Sequence, residues 1–299
     1  MTAKTKPTKS LQREAWDKLL RNQVAVVSAV LIVLVTALGF LAPLIAPYAF
    51  DEQYLDQVLV PPSFTHWMGT DSLGRDLFSR LLYGARISMS IGVITAVISL
   101  IVGTFFGAVA GWFGGWVDRV LMRFVDILDS IPSLVLMILV KLIFDAVDII
   151  DNPELKALTG MLLALSLVSW VSLARVVRGQ VLQVKQMPYV EAAKALGASN
   201  LRMVVQHILP NIIGPVIVLL TFQIPSNILY ESFMSFLGLG LQPPYSSWGV
   251  LANDGWRSMN SFPHLMIWPG VAIFITMMAF NLLGDCLRDA FDPQMRGRI

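Results

Sequence analysis

Glu191-Ala192-Ala193-Lys194-Ala195-Leu196-Gly197, continuing through Ala198 and Ser199 to Leu209-Pro210-Asn211, is a polar stretch set between two long apolar runs. Tyr189 to Leu196 holds strong helix formers behind Pro188, a residue suited to a helix's first turn, so a short helix is expected there. Gly197 would end it, because a glycine just past a helix can take the left-handed conformation that relieves the last carbonyls. Ser199 can cap a second helix, Leu201 to Ile208, expected to stop at Pro210. Two short helices joined by a sharp turn between membrane spans make a projecting knob, shaped for docking in another protein's groove.

The flanking runs set the class. The chain is 56% hydrophobic and only 14% charged, with a mean hydropathy of +0.67, whereas soluble domains carry about 25% charged residues. An all-α polytopic membrane protein with six transmembrane helices is expected. A net charge of +2 is too small to suggest a nucleic-acid partner. Cys286, the single cysteine, cannot form an internal disulfide and is expected to be a packing residue.

Residues 1–22 carry Lys4, Lys6, Lys9, Arg13, Lys18 and Arg21, and 11–22 read as an amphipathic helix lying on the inner membrane surface, with Leu11, Trp16, Leu19 and Leu20 opposite the charges. The apolar run that follows is too long for a signal-peptide core and lacks a cleavage site, so 23–48 is a retained first span. Residues 49–86 form an external loop. A core of 87–289 follows, with spans at about 87–112, 121–143, 157–176, 212–230 and 264–283 and the quoted segment within 177–211. Residues 290–299 form an inner tail. This topology places 16 of the 22 Lys and Arg on inner segments, which puts both termini and the quoted segment in the cytoplasm.

Within this frame several patterns carry physical meaning. Gly103, Gly107 and Gly111 recur every four residues, a stripe that lets two helix backbones approach closely in lipid, within the subunit or across a dimer interface. Arg123, Asp126 and Asp129 share one helix face just inside the membrane, where pairing of the acids with Arg123 is expected. Asp145, Asp148, Asp151 and Glu154 form an acidic outer loop. Gly214, Pro215 and Pro225, with Gln223 between the prolines, are expected to break the fifth span; Pro215, Gln223 and Pro225 could border a pathway, since irregular backbone survives in a membrane beside protein or a watery cavity. Glu231 to Gly240 reads as a short outer helix, and Trp248-Gly249 as loop. In the external loop, Asp71, Arg75, Asp76 and Arg80 lie near four-residue spacing and are expected to form a fixed ion-pair network, Asp71 also being a candidate helix cap.

Three of these stretches resemble one family. Glu191-Ala192-Ala193, Gly197 and Leu209-Pro210 fall at the offsets of the coupling loop of ABC importer permeases; His207 stands where the general pattern has Ile, as in the peptide branch. Gly69-Thr70-Asp71, Gly74-Arg75-Asp76, Ser79-Arg80 and Tyr83-Gly84-Ala85-Arg86 resemble the external signature of C-type permeases of oligopeptide and dipeptide importers. Leu283-Gly284-Asp285, Leu287-Arg288-Asp289 and Asp292-Pro293 resemble that family's C-terminal signature. Ser169-Trp170 to Gly179-Gln180, and Glu231-Ser232-Phe233 with Phe236-Leu237-Gly238-Leu239-Gly240, look closer to the oligopeptide member.

The resemblance implies a type I ABC importer permease fold in a bacterial inner membrane. It implies half of a peptide pore, beside a homologous B-type permease, two ABC ATPase subunits, an extracytoplasmic peptide-binding protein and membrane lipid. ATP and Mg would be bound by the ATPases, with no cofactor on this chain. Glu191, Ala192, Ala193 and Leu196 would face the ATPase groove, Gly197 would permit the turn, and Leu209 and Pro210 would anchor the knob to the fifth span. Relatives that move nickel, glutathione or other small substrates are alternatives. The chain has no GxxxxGK[ST] phosphate loop, no HExxH and no Gly-x-Ser-x-Gly, and His66, His207 and His264 are scattered, so neither an enzyme nor a metal site is expected. A self-sufficient secondary transporter would show internal repeats and mid-membrane ionisable groups, which the chain lacks.

Overall fold

A computed structural model describes residues 11–148 and 150–291, with side chains described from Trp16 onward. Among these residues the only β pairing is a single bridge between Thr70 and Asp76; the rest is helix and connecting loop. The helices are α1 (Leu11–Arg21), α2 (Gln23–Phe40), α3 (Ala42–Ile45), α4 (Leu77–Phe113), α5 (Gly115–Asp129), α6 (Ser133–Asp145), α7 (Pro153–Lys185), α8 (Pro188–Ala195), α9 (Asn200–Arg202), α10 (Leu209–Phe236), α11 (Trp248–Trp256) and α12 (His264–Phe291). The basic residues before position 11, and Asp292-Pro293 with the rest of the tail, lie outside the described residues.

Among the described residues, five helical runs are long and apolar enough to cross a membrane: α2, α4, α7, the run Asn200–Phe236 and α12. The third expected span is not one helix. It is the pair α5 and α6, bent by 88°. The bend falls at Ser130-Ile131-Pro132, because a proline drives the residue before it out of the helical region and cannot donate to the turn behind it.

The other spans are longer than hydropathy suggests. At 37 residues, α4 is about 55 Å long at 1.5 Å per residue, far beyond a bilayer core of about 30 Å. It begins at Leu77, inside the stretch expected to be external loop, capped by Asp76, whose carboxylate accepts from the Ser79 amide at 2.8 Å. At the inner end α7 continues to Lys185, so Arg178-Gly179-Gln180 is helical rather than part of the coupling loop.

The fifth span is unbroken. α10 passes through Pro215 and Pro225 and takes in Glu231 to Phe236, expected to be a separate helix. Nor does the chain stop at Pro210. A π-helical turn, Met203–Ile208, joins α9 to α10, and the Leu209 amide reaches the Val204 carbonyl five residues back. Pro210 then occupies the first turn of α10, where a missing N–H costs little, and the Asn211 side chain takes up the His207 carbonyl at 2.6 Å. Trp248-Gly249, expected to be loop, opens the outer helix α11.

α4 and α7 form the central pair. A Cβ on Gly103 would lie 2.9 Å from the Trp170 carbonyl, on Gly107 2.5 Å from that of Ala174, and on Gly111 2.9 Å from Val181. The stripe therefore serves contact inside the subunit. Around it, Leu173, Val177, Val181, Met203 and Ile208 make an inner core, and Ile91, Met161, Leu165 and Met234 an outer one. α2 leans on this bundle with Val27, Val30 and Val33 exposed, an apolar stripe suited to lipid. α1 packs along α12, and Asn22 both caps α2 and donates to Cys286 Sγ at 3.4 Å.

Candidate functional site

Two polar regions flank the bundle. At the inner end, α8 ends as the reading of Gly197 anticipates: its φ is +82°, the Gly197 amide reaches the Lys194 carbonyl, and the Ala198 amide returns to Ala193 at 3.2 Å. That is a Schellman cap. Ser199 then caps the next helix through the Arg202 amide, at 3.4 Å. Nothing lies within 4 Å of the site of a Gly197 Cβ, so the backbone angle, and not crowding, requires glycine.

The turn presents apolar side chains outward. Leu196 is 89% exposed and Leu201 75% exposed, and Glu191, Ala192 and Lys194 are exposed beside them. Val190 and Met203 turn inward onto the inner core, joined by half-buried Ala193 and Leu209. Ala193, expected on the docking face, is half-buried and packs against that core. Partial burial pushes the Tyr189 phenol up from its ordinary range.

Residues passed over in the sequence tie this turn to the bundle. Lys185 Nζ donates to the Trp112 carbonyl at 2.5 Å and lies 5.3 Å from the centre of its ring, while Trp112 Nε1 donates to Asn200 at 3.3 Å. Arg178 grips Asp118 with two hydrogen bonds of 2.5 and 2.6 Å. Asp126 and Asp129 pair with Arg175 of α7, at 3.0 and 2.7 Å, rather than with Arg123 of their own helix. Basic residues in the last three turns of α7 were the available signal.

At the outer end the expected ion-pair network is present. Asp71 receives Arg75 at 2.7 Å and Arg80 at 2.5 Å, and Asp254 of α11 lies 3.3 Å from Arg80. All of Asp71, Arg75, Asp76 and Arg80 are buried. Asp71 does not cap a helix; its Oδ1 accepts from the Leu73 and Arg75 amides and closes the turn, while Asp76 caps α4 and accepts from His66 at 2.9 Å. Gly69 and Gly74 have φ of +83° and +72°, and a Gly74 Cβ would fall 1.9 Å from the Tyr54 carbonyl. Thr70 bonds the loop to Gln57 and Val60. Two acids of the acidic loop are likewise paired: Asp145 holds the buried Lys141 at 2.5 Å, and Lys156, chiefly by its hydrogen bond, keeps the Asp148 carboxyl below its usual range.

Between the two ends, Pro225 is buried within the subunit, while Pro215 and Gln223 are half-buried, Gln223 donating to the Ser169 carbonyl at 2.5 Å. A nearly apolar groove of about 810 Å³ runs between the inner halves of α4 and α10, past Phe105, Trp112, Val205 and Ile213.

Residues 103–297 match the family described as the binding-protein-dependent transport system inner membrane component, and residues 10–62 match the N-terminal transmembrane domain of oligopeptide transport permease C. The chain belongs to the binding-protein-dependent transport permeases. Within that family it resembles the C-type permeases of peptide and glutathione importers. It is 40% identical to the dipeptide transport permease DppC of Bacillus subtilis over 97% of this chain and 88% of that protein. It is also 40% identical to the oligopeptide permease OppC of the same organism, over 98% and 92%. The glutathione permease GsiD of Pectobacterium atrosepticum is 37% identical over 95% and 91%. The permease fold is shared with a solved amino acid ABC transporter, with a TM-score of 0.52 over 70% of this chain and 91% of that one, and with the methionine transporter MetNI, with 0.55 over 72% and 97%, each at 16% identity. This permease is therefore a multi-pass membrane protein of the type I ABC importer fold.

Proposed function

We propose that this permease forms half of the translocation pore of an ATP-driven importer of short peptides, oligopeptides ahead of dipeptides, with a B-type sister permease as the other half. Two separate ATPase subunits drive it through the segment 188–211 on the cytoplasmic side, and an extracytoplasmic binding protein delivers the peptide. ATP and Mg act on those partners, and this chain supplies the moving wall. Both termini lie in the cytoplasm.

The observation that carries the reading is the inner turn: a capped knob that holds two apolar side chains, Leu196 and Leu201, in the open with little cover within the subunit. Apolar side chains held out by a built cap suit a protein groove. The identities to peptide and glutathione permeases lie within a few per cent of one another, and glutathione is itself a tripeptide, so short peptides are the common substrate class. In the cycle, closure of the ATPases on ATP draws the two knobs together and turns the spans from inward-open to outward-open.

Reconstitution tests this. The chain purified in mild detergent is expected to bring down two ATPases and a sister permease, and vesicles holding all four with the binding protein are expected to take up peptide only with ATP. Uphill uptake by this chain alone would overturn the reading, and so would labelling of a cysteine at position 196 from outside intact cells stripped of their outer membrane.

A further inference from the structure

Glu231 is fully buried near the outer end of α10, with no charged side chain among its neighbours. Its surroundings are serines drawn from α4, from α10 itself and from the start of α11. Ser88 of α4 donates to Oε2 at 2.8 Å and Ser235 of α10 donates to Oε1 at 2.8 Å. Each serine is itself fed from the amino end of α11. Ser88 Oγ accepts the Trp248 amide at 3.2 Å, and Ser235 Oγ accepts from Ser247, whose oxygen accepts the Val250 amide at 3.4 Å.

A hydroxyl oxygen that accepts an N–H can still give its own proton, so two chains of hydrogen bonds join amides of the α11 amino end to the two oxygens of Glu231. Those amides are the groups a helix leaves without partners and where its dipole is positive. Close backbone approach makes the joint possible: a Cβ on Gly249 would lie 2.4 Å from the Ser232 carbonyl, and one on Gly84 3.2 Å from the Trp248 ring.

The mechanical position matters as much as the chemistry. α10 continues through the π-helical turn into α9, making one 37-residue run from Asn200 beside the knob to Phe236, about 55 Å of rod at 1.5 Å per residue. Its inner end is the proposed docking segment. Its outer end holds Glu231.

We infer that Glu231 is the positioning residue by which this rod grips α11, so that displacement of the inner knob is delivered to the outer helix through the Glu231 carboxyl. The inference rests on the importer reading above. Replacing Glu231 by Gln keeps the shape but puts an NH₂ where one oxygen accepted, so the facing serine can no longer donate to it and one of the two chains is interrupted.

The test uses the assembled importer with Cys286→Ser and Arg257→Cys, which places a thiol at the exposed residue following α11. In the parent complex, the rate of labelling by an impermeant maleimide is expected to change on adding ATP and vanadate. In Glu231→Gln the complex is expected to assemble, with the nucleotide-dependent change and peptide uptake both lost, and Glu231→Asp is expected to restore part of each. If Glu231→Gln does not assemble, Ser88→Ala and Ser235→Ala, each cutting one donor chain, are expected to reduce the change. Labelling that still follows nucleotide in these variants as in the parent overturns the inference. So does a parent that transports without any change at position 257. A parent complex with no ATP-driven uptake would instead count first against the importer reading, and against this inference with it.

Discussion

The outer clasp and the inner knob are both compact loops closed by positive-φ glycines, yet they spend their polar groups in opposite ways. In the clasp, Asp71, Arg75, Asp76 and Arg80 are buried against one another and against backbone amides, and a Cβ on Gly69 or Gly74 would strike a carbonyl of the loop itself. In the knob, Glu191, Lys194 and Leu196 face outward, and the space around Gly197 is empty. A region that satisfies itself is scaffold. A region that holds apolar side chains in the open by a fixed cap leaves them without cover from its own chain. The difference teaches that the same turn chemistry serves either role, and that burial of the charges, not their number, tells them apart.

The sharpest break of this comparison is Asp71→Ala. It would leave the Arg75 and Arg80 guanidiniums buried against only the half-exposed Asp254, and loss of one partner from a buried charge cluster costs about 3–5 kcal/mol. The expected outcome is little folded permease in the membrane, read by detergent-extractable yield and thermal unfolding. A normal yield would mean the clasp is not scaffold.

Gly107→Leu is next, between the two ends. Its Cβ would fall 2.5 Å from the Ala174 carbonyl, so α4 and α7 must separate, an overpacking cost of about 1–3 kcal/mol. A lowered unfolding temperature with partial assembly is expected. Gly197→Val costs about 1–2 kcal/mol locally, because a β-branched residue resists a φ of +82°. The complex is expected to assemble while ATP hydrolysis and peptide uptake come apart, measured side by side in vesicles. Normal uptake would show that the turn tolerates a second geometry.

Much of this contrast was legible from residues alone. The four-residue spacing of Gly103, Gly107 and Gly111 reports helix geometry directly, and Gly197 followed by Ser199 reports a stop and a start. The ends of the spans were not legible, because hydropathy follows lipid while a helix follows its hydrogen bonds; Leu77 to Arg86 and Arg178 to Lys185 stay helical outside the apolar window. Pro132 and Pro210 look alike in sequence, yet one bends a span by 88° and the other sits in a first turn that a π-helical step has prepared. The partners of Asp126 and of Glu231 were hidden for another reason. Arg175, Ser88 and Ser247 come from distant segments, and depth in the membrane does not say which neighbour a fold will supply.

Leu196→Ser tests the comparison at its mildest. The side chain is nearly free of the subunit, so its loss should change stability by no more than about 0.5 kcal/mol, and thermal unfolding of the isolated permease should not move. The effect should appear only when the ATPases are present, as weaker retention of those subunits on the immobilised permease and slower peptide uptake. The exposed apolar tip is nearly free of its own chain, whereas Val190, Ala193 and Met203 would disturb the inner core as well. A Leu196→Ser permease that retains its ATPases and transports at the parent rate would move the docking contact to Leu201 or Val205, and would leave the capped turn as a spacer rather than a hook.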